Sequence, residues 1–319
     1  MKIVITARDF STYDSSAVNL LKNAGFDVID YSNAGAGTGT TPAQMTEYIG
    51  DADIAITGLE PMAEETIDAC TNLKMLSKRS IGYDSVNLDA CRKHGITVTR
   101  TTGAVEAAVS EQVIAYIMYF ARNLTAQNES MHAGKWQRVM SYGAKNRTLG
   151  LVGFGGIGRE IAKRAVALGM NVIYYCRHPK EEYTAKYNVR STSLDELIST
   201  SDYISVNVPL TAETRGMFGK NEFSKMKKEC VFINIARGPV MDDGALAAAL
   251  TAGTIRGAGI DVFDSEPCTD SVLRGCPNAV LTPHTAPFTS ENFCSMNMIA
   301  AQNVIDYVNN SIIPANLLI

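Results

Sequence analysis

The sequence predicts an α/β protein with parallel sheets, divided between two domains. Short strand-like runs alternate with helical stretches along the chain, and glycines follow the ends of several predicted helices. The length of 319 residues is the third observation, because a chain of this size rarely has a single hydrophobic core. Two domains, each built from strand–helix units, are therefore expected.

The first hundred residues alternate regularly between the two patterns. The predicted elements are, in order, strand 2–7, helix 15–25, strand 26–31, helix 41–52, strand 53–58 and then two further helix–strand pairs up to residue 100. A long helix follows over 104–123. Its side chains are apolar on nearly all faces, so we expect it to be buried.

The second half of the chain repeats the alternation after a polar segment, 124–147, which contains the only tryptophan, Trp136. A new strand–helix series begins with a glycine-rich stretch at 148–158 and continues to 279–284. The chain closes with a predicted helix over 290–310 and a short tail.

Composition excludes several classes of protein. A hydrophobic content of 46% with 19% charged residues is typical of a globular protein, and the net charge of −4 argues against a nucleic-acid or anionic-membrane partner. No apolar run is long enough to span a bilayer, and the N-terminus does not resemble a signal peptide. The seven scattered cysteines form no C-x-x-C pair, which predicts reduced thiols in a cytoplasmic protein without a metal site.

A glycine-rich turn carries the first functional signal. Gly153, Gly155 and Gly158 fit the pattern G-x-G-x-x-G between an apolar strand and an amphipathic helix. In such a turn the first glycine allows the tight bend, the second lets the backbone approach a pyrophosphate, and the third lets the helix pack on the strand. The context predicts dinucleotide binding, and the alternative is a glycine turn chosen for packing alone.

Three polar residues follow the ends of three later strands. Arg237, Glu266 and His284 each lie just past an apolar strand, and in an open parallel sheet ligands bind beyond the carboxyl ends of the strands. Their chemistry is complementary, so one shared site is expected. Taken singly, His284 could be a partly buried polar residue with a satisfied hydrogen bond, and Arg237 could form a salt bridge across its turn.

Together these segments resemble the D-isomer-specific 2-hydroxyacid dehydrogenases, a family that includes D-3-phosphoglycerate dehydrogenase and glyoxylate/hydroxypyruvate reductase. The resemblance follows the family's order through nearly the whole chain. It lies in "LKMLSKRSIGYDSVNL" (73–88), "VSEQVIAYIMYFAR" (109–122), "GKW" (134–136), "TLGLVGFGGIGR" (148–159), "VPLTAETRGMF" (208–218), "INIARGPVMDD" (233–243), "GAGIDVFDSEP" (257–267) and "LTPHTA" (281–286).

The resemblance implies two Rossmann-like domains with parallel sheets. A discontinuous substrate domain would comprise residues 1–101 and 288–319, and a dinucleotide-binding domain residues 102–287. It also implies an oxidoreductase that acts on the CH–OH group of a small 2-hydroxy acid, or reduces the 2-keto acid, with NAD or NADP. The family commonly forms dimers, so a homodimer is expected.

Matched residue by residue, the resemblance makes His284 the general acid/base and Glu266 its partner. Arg237 would hold the substrate and polarise its carbonyl. An imidazole can supply a proton near neutral pH, a carboxylate at its other nitrogen fixes the tautomer, and a guanidinium grips a carboxylate through two parallel hydrogen bonds. The backbone N–H groups of the segment Ser80, Ile81 and Gly82 would bind the substrate carboxylate, although many relatives have glycine where Ser80 stands.

The resemblance also implies a set of cofactor contacts along the second domain. Asp261 matches the position that receives the nicotinamide carboxamide, and the alternative is that it caps the turn after its strand. The implied cofactor-binding residues are Gly153, Gly155, Gly156, Ile157, Gly158, Cys176, Arg177, Val208, Pro209, Thr214, Ala236, Asp261 and His284.

The end of the second strand of this domain favours NADP over NAD. NAD-specific relatives have an acidic residue there that binds the ribose hydroxyls, whereas this chain has Cys176. No carboxylate would then repel a 2′-phosphate, and Arg177 or Lys180 could pair with it. The alternative is that Arg177 stacks on the adenine or faces solvent, in which case both cofactors would be used.

A second class of function stays open at this point. The family has a corepressor branch, so the chain could be a dinucleotide-sensing binding protein without significant turnover. The identity of the 2-keto acid is not encoded in a recognisable motif. We expect the loop 59–62, the residues around Trp136 and the C-terminal segment to form the pocket for the substrate's side chain, where Glu60 would disfavour a phosphate group.

Overall fold

The chain folds into two compact units. The structure is a computed structural model that describes residues 1–34, 37, 39–179 and 181–319. The first unit comprises Met1–Val105 together with Pro287–Ile319, and the second comprises Glu106–Ala286. In each unit a parallel sheet carries helices on its faces, in agreement with the predicted fold class.

The strands alternate with the helices along the chain, as the sequence predicts. The strands are β1 (Lys2–Ile5), β2 (Asp27–Asp30), β3 (Ile54–Thr57), β4 (Met75–Lys78), β5 (Thr97–Thr99), β6 (Thr148–Val152), β7 (Asn171–Tyr175), β8 (Arg190–Ser191), β9 (Tyr203–Val206), β10 (Val231–Asn234), β11 (Gly257–Ile260) and β12 (Ala279–Leu281). The α-helices are α1 (Ser16–Asn23), α2 (Pro42–Ile49), α3 (Glu64–Ala69), α4 (Leu88–Lys93), α5 (Glu106–Arg122), α6 (Leu124–His132), α7 (Gly156–Ala167), α8 (Glu181–Tyr187), α9 (Leu194–Thr200), α10 (Lys220–Lys225), α11 (Asp243–Thr251) and α12 (Ser290–Val308).

The sheet of the first unit has the order β2-β1-β3-β4-β5, with all neighbours parallel. Successive strands are added on opposite sides of β1, so the order reverses between β1 and β3, which is where α/β sheets bind ligands beyond their carboxyl ends. The C-terminal helix α12 belongs to this unit because Ala300, Ala301 and Val304 pack against Ile3 and Ile5 of β1. This packing explains why the last segment of the chain belongs to the unit whose sheet is formed by the first hundred residues.

The sheet of the second unit has the order β12-β11-β10-β9-β6-β7-β8, again with parallel neighbours. The order reverses between β6 and β9, next to the glycine-rich turn. The long apolar helix predicted over 104–123 is α5. Gly257 and Gly259 of β11 let it approach, since a Cβ at either position would lie within 2.7 Å of the ring of Phe120 or Tyr116.

The polar segment 124–147 is partly helical, because α6 follows α5 after a break at Asn123. Asn123 has a left-handed conformation with φ 48°, which ends α5 and redirects the chain. Within the described parts of the chain, no helix is both long enough and apolar enough to cross a membrane.

Candidate active site

The glycine-rich turn lies between β6 and α7, and two of its glycines are required by packing. Gly153 has φ 96°, and a Cβ there would lie 2.8 Å from the carbonyl oxygen of Asn207. A Cβ at Gly158 would lie 2.6 Å from the carbonyl oxygen of Gly153. A side chain at Gly153 would therefore clash with the loop after β9, and one at Gly158 would push the start of α7 away from the turn.

Gly155, in contrast, is not required by packing within the protein. It is exposed, and a Cβ at this position would meet no protein atom within 4 Å. The turn is thus open on the side where the first N–H groups of α7 are free, and a pyrophosphate fits such a helix start. Gly156 instead leaves room for the side chain of Glu106, whose Cγ would lie 2.9 Å from an added Cβ, and Ile157 is partly buried beside it.

The other predicted cofactor residues lie at the same carboxyl edge of the second sheet. Cys176 and Arg177 follow β7, Val208 and Pro209 follow β9 by two and three residues, and Ala236 follows β10 by two. The loop after β9 is held in place by Thr214, whose hydroxyl donates to the carbonyl oxygen of Pro209 at 2.7 Å.

The predicted determinants of cofactor choice lie beyond β7. Cys176 is partly buried and Arg177 is exposed. The Arg177 charge reaches Glu213, where it adds to the larger effect of the Thr211 hydroxyl in lowering the pKa of the Glu213 carboxyl. Lys180, the second predicted cation, lies outside the described residues.

Arg237 is positioned by a turn that Asn234 ties together. The buried Asn234 side chain accepts from the N–H of Ala236 and donates to the carbonyl oxygen of Arg237, both at 3.0 Å. Gly238 then packs directly on the loop after β11, because a Cβ there would lie 1.9 Å from the carbonyl carbon of Phe263. This contact brings the Arg237 turn next to the loop that carries Glu266.

His284 and Glu266 form a close pair. Nδ1 of His284 lies 2.6 Å from Oε2 of Glu266, and about a quarter of each side chain is exposed. A carboxylate only accepts hydrogen bonds, so Nδ1 carries the hydrogen and Nε2 is left for other partners. His284 has a left-handed backbone with φ 53°, fixed by its N–H, which donates to the carbonyl oxygen of Asp261 at 2.8 Å.

The surroundings of Glu266 keep it ionised. Burial alone would raise its pKa, but the hydrogen bond and charge of His284, the N–H of Phe263 and the charge of Arg237 outweigh burial and hold the pKa below its usual range. An ionised carboxylate beside the imidazole stabilises positive charge on the ring when a proton is transferred through Nε2. The pair can therefore hold a proton and present it from Nε2.

Asp261 is fully buried at the end of β11, and its carboxylate is bonded to the loop that carries His284. It accepts from the N–H of Thr285 at 2.8 Å, the N–H of Ala286 at 2.9 Å and the hydroxyl of Thr282. Burial raises its pKa despite these hydrogen bonds. These hydrogen bonds make Asp261 a cap of this loop, and its contact with the nicotinamide carboxamide stays a prediction.

In the first unit, the predicted carboxylate-binding loop follows β4. Among the described residues, no protein group accepts a hydrogen bond from the backbone N–H of Ser80, Ile81 or Gly82, and all three residues are partly exposed. The hydroxyl of Ser80 donates to the carbonyl oxygen of Gly82 at 2.7 Å and closes the loop. None of the three has a positive φ, so serine replaces the common glycine without backbone strain.

Sequence reasoning missed several residues that shape these loops. Asn234 holds the turn of Arg237, and Thr282 helps to hold the turn of His284. Tyr116, which lies in α5, forms a hydrogen bond through its hydroxyl with the hydroxyl of Thr282. Polar residues at the ends of apolar strands were the available signal. Glu60, predicted to line a substrate pocket, is buried instead, and its carboxylate accepts from the N–H of Gly58.

Comparison with known proteins gives a consistent result. The sequence profile described as "D-isomer specific 2-hydroxyacid dehydrogenase, NAD binding domain" matches residues 114–286. Glyoxylate reductase from Thermococcus litoralis is 35% identical over 283 residues, which are 86% of this chain and 85% of that protein.

Two solved structures extend the similarity to the whole fold. D-lactate dehydrogenase from Aquifex aeolicus, in complex with NAD and lactic acid, has a TM-score of 0.85 and 26% identity, with 100% of this chain and 99% of that chain covered. An acyclic imino acid reductase in complex with NADPH and D-Arg has a TM-score of 0.88 and 26% identity, with both chains fully covered.

Proposed function

The chain belongs to the D-isomer-specific 2-hydroxyacid dehydrogenase family, and we propose that it interconverts a small 2-keto acid and the D-2-hydroxy acid with a nicotinamide dinucleotide. Members of the family are oxidoreductases that act on the CH–OH group with NAD or NADP. The observation that carries the proposal is the pairing of His284 with Glu266 at 2.6 Å, with Arg237 close enough for its charge to act on Glu266.

His284 provides the proton that the reaction needs. Reduction of a 2-keto acid places a hydride on the carbonyl carbon, which the bound cofactor supplies, and a proton on the carbonyl oxygen. His284 donates that proton from Nε2 while Glu266 holds Nδ1–H and stabilises the imidazolium. In the oxidative direction the neutral imidazole accepts the proton of the hydroxyl group.

Each unit contributes its own part of the reaction. We assign the first unit as the substrate domain, in which the free N–H groups of Ser80, Ile81 and Gly82 bind the substrate carboxylate. The second unit is the dinucleotide-binding domain, in which the open face of Gly155 and the start of α7 hold the pyrophosphate. Arg237 polarises the carbonyl and grips the substrate with its guanidinium.

We further propose that the chain prefers NADP to NAD. Cys176 stands where a carboxylate would repel a 2′-phosphate, and Arg177 is exposed beside it. The two solved relatives bind one cofactor each, NAD in one and NADPH in the other, so the family fold accommodates both. The test is the ratio of kcat/KM for NADPH and NADH, and the double substitution Cys176→Asp with Arg177→Ala should move it toward NADH. A wild-type preference for NADH would contradict the proposal.

The alternative of a dinucleotide-sensing protein without turnover is not favoured by the comparisons, since the similar proteins are reductases and dehydrogenases. A steady-state assay of the purified chain with glyoxylate, hydroxypyruvate, pyruvate and bulkier 2-keto acids separates the two functions. Turnover of at least one keto acid is the expected result. Tight cofactor binding without turnover of any of them would support the sensor.

We also propose that the chain is a homodimer in the cytoplasm. Trp136 and Met140 are more than four-fifths exposed on the segment after α6, and Leu124 and Met131 of α6 are also exposed. Large apolar side chains clustered in one segment are typical of a subunit contact.

For the location in the cytoplasm, the support is that the seven cysteines are free thiols, in keeping with a reducing compartment. The test of the dimer is separate. Light scattering should give twice the mass of the chain, and Trp136→Asp with Met140→Asp should give the monomer.

A further inference from the structure

The carboxyl edge of the first sheet holds a cation that the proposed reaction does not yet use. Arg79 directly follows β4 and precedes Ser80, and its own N–H donates to the carbonyl oxygen of Thr57 at 2.8 Å. Its guanidinium lies over the ring of Phe293, 4.5 Å from the ring centroid. Phe293 in turn packs edge-to-face with Phe288 and Tyr13, so the stack fixes the position of the guanidinium.

The hydrogen bonds of Arg79 are poorly satisfied for a partly buried group. Its Nη1 lies 3.5 Å from Oδ1 of Asn297, a long contact, and its Nε is shielded from solvent without a partner. Across the part of the chain that the structure describes, no carboxylate lies within ion-pair distance of it. Burial lowers its pKa to about 10, and the charges of Glu60 and Asp9 act in the opposite direction, so it stays a cation at neutral pH.

A buried cation without an ion pair is costly unless an anion reaches it. The residue next to Arg79 begins the loop whose N–H groups lack protein acceptors. A loop of free backbone N–H groups that directly follows an arginine without an ion pair can attract an anion, because the N–H dipoles and the charge act on the same group.

We propose that Arg79 is a second substrate-binding arginine, which draws the carboxylate of a 2-keto acid to the Ser80–Gly82 loop by its charge. The inference rests on the proposed function, since it takes the substrate to be a keto acid bound by this loop. It implies that the chain selects anionic 2-keto acids over neutral analogues of the same shape, such as 2-keto esters and amides.

The test compares Arg79→Met, which keeps a long apolar side chain next to Phe293 without the charge, with Arg79→Lys, which keeps the charge. For pyruvate or the best keto acid of the panel, Arg79→Met should raise KM by on the order of tenfold or more, with kcat little changed. Arg79→Lys should restore most of the loss. The KM of the methyl ester of the same acid should change less than twofold in either variant, as should the Kd of the cofactor, because neither depends on the charge.

Calorimetry with oxamate, a carboxylate that is not reduced, gives a readout that is independent of turnover. Oxamate should bind the cofactor-loaded wild type and bind Arg79→Met at least tenfold more weakly. Two results would show that Arg79 only packs on Phe293 and that the inference is wrong. One is that Arg79→Met binds oxamate like the wild type, and the other is that the substitution raises the KM of the acid and of its ester by the same factor. Oxamate binding without any keto-acid turnover would leave Arg79 as an anion-binding residue and contradict the proposed function alone.

Discussion

The carboxyl edges of the two sheets are built in different ways, although both sheets are parallel and both reverse their strand order near the middle. The edge of the second sheet presents side chains with defined chemistry: an arginine, a glutamate and a histidine, each on its own loop. The edge of the first sheet presents backbone N–H groups, with charged side chains buried beneath them. We infer that the second edge performs the chemistry and the first edge recognises the substrate.

The buried groups of the first edge show how it is held. Lys78 is fully buried at the end of β4, where its ammonium group donates to the carbonyl oxygen of Gly58 and to the hydroxyl of Ser85 at 2.7 Å. Glu60 accepts from the N–H of Gly58 on the neighbouring loop. Buried charged groups that are held by hydrogen bonds of this kind favour one geometry, so the loop can offer its N–H groups without rearranging.

If the second edge performs the chemistry and the first edge recognises the substrate, substitutions at the two edges should affect kcat and KM differently. The largest effect is expected at His284. His284→Ala should lower the reduction rate by about 10²–10⁴-fold, because it removes the proposed proton donor to the carbonyl oxygen. Cofactor affinity, measured by fluorescence titration, should change little. A reduction rate within a few-fold of that of the wild type would show that His284 takes no part in the chemistry. The assignment of the chemistry to the second edge would then be wrong.

Arg237 should show the next largest effect, on both parameters. Arg237→Lys keeps the charge but loses the planar, bidentate grip, so KM should rise and kcat should fall, each by on the order of tenfold or more. Steady-state kinetics and a thermal denaturation curve are measured together. If only the Tm changed, Arg237 would be a structural salt-bridge residue instead.

Glu266→Gln should lower kcat, because Glu266 acts through His284. Without the carboxylate, Nδ1–H of His284 loses its ionised acceptor, and the charge on the imidazole loses its partner during proton transfer. The kcat for reduction should therefore fall by about tenfold or more, with cofactor affinity little changed. An unchanged kcat would show that Glu266 does not act through His284.

The same substitution also affects stability, with a sign that follows from the pKa. The folded-state pKa of Glu266 lies below its unfolded value, so the carboxylate contributes stability that is complete above the unfolded value and is lost as pH falls through the folded one. The stability difference between the wild type and Glu266→Gln should therefore shrink on acidification.

The smallest effect is expected at the first edge. Ser80→Ala removes the hydrogen bond that closes the loop, so the KM for the keto acid should rise about 2- to 10-fold with kcat unchanged. Thr71→Ala, on an exposed turn of the same unit, is the matched control and should leave both parameters unchanged. A loss confined to kcat would contradict the assignment of this edge to recognition.

The sequence predicts the second edge better than the first, for a physical reason. A glycine-rich turn and single catalytic side chains at strand ends are local patterns, so Gly153, Gly155 and Gly158 could be interpreted from their spacing and their strand–turn–helix context. The tight approach of Gly238 to Phe263 depends instead on two segments far apart in sequence, and no local pattern encodes it.

The first edge depends almost entirely on such long-range contacts. Backbone N–H groups have no residue-type signature, and whether those of Ile81 are free depends on the whole sheet. Arg79 is one of many basic residues in the sequence, and its importance emerges only when Phe293, more than two hundred positions later, packs against it. The burial of Glu60 was likewise invisible in the sequence, which suggested a position lining the pocket.

The configuration of the product tests the central claim most directly. The best keto acid of the panel that yields a chiral product is reduced with NADPH, or with NADH if that is preferred, and the hydroxy acid is analysed by chiral chromatography. We predict the D-isomer as the sole product, formed by the wild type and almost absent with His284→Ala. The L-isomer, a racemate, or an equal yield from His284→Ala would contradict the assignment of this chain as a D-2-hydroxyacid dehydrogenase that uses His284 as its acid.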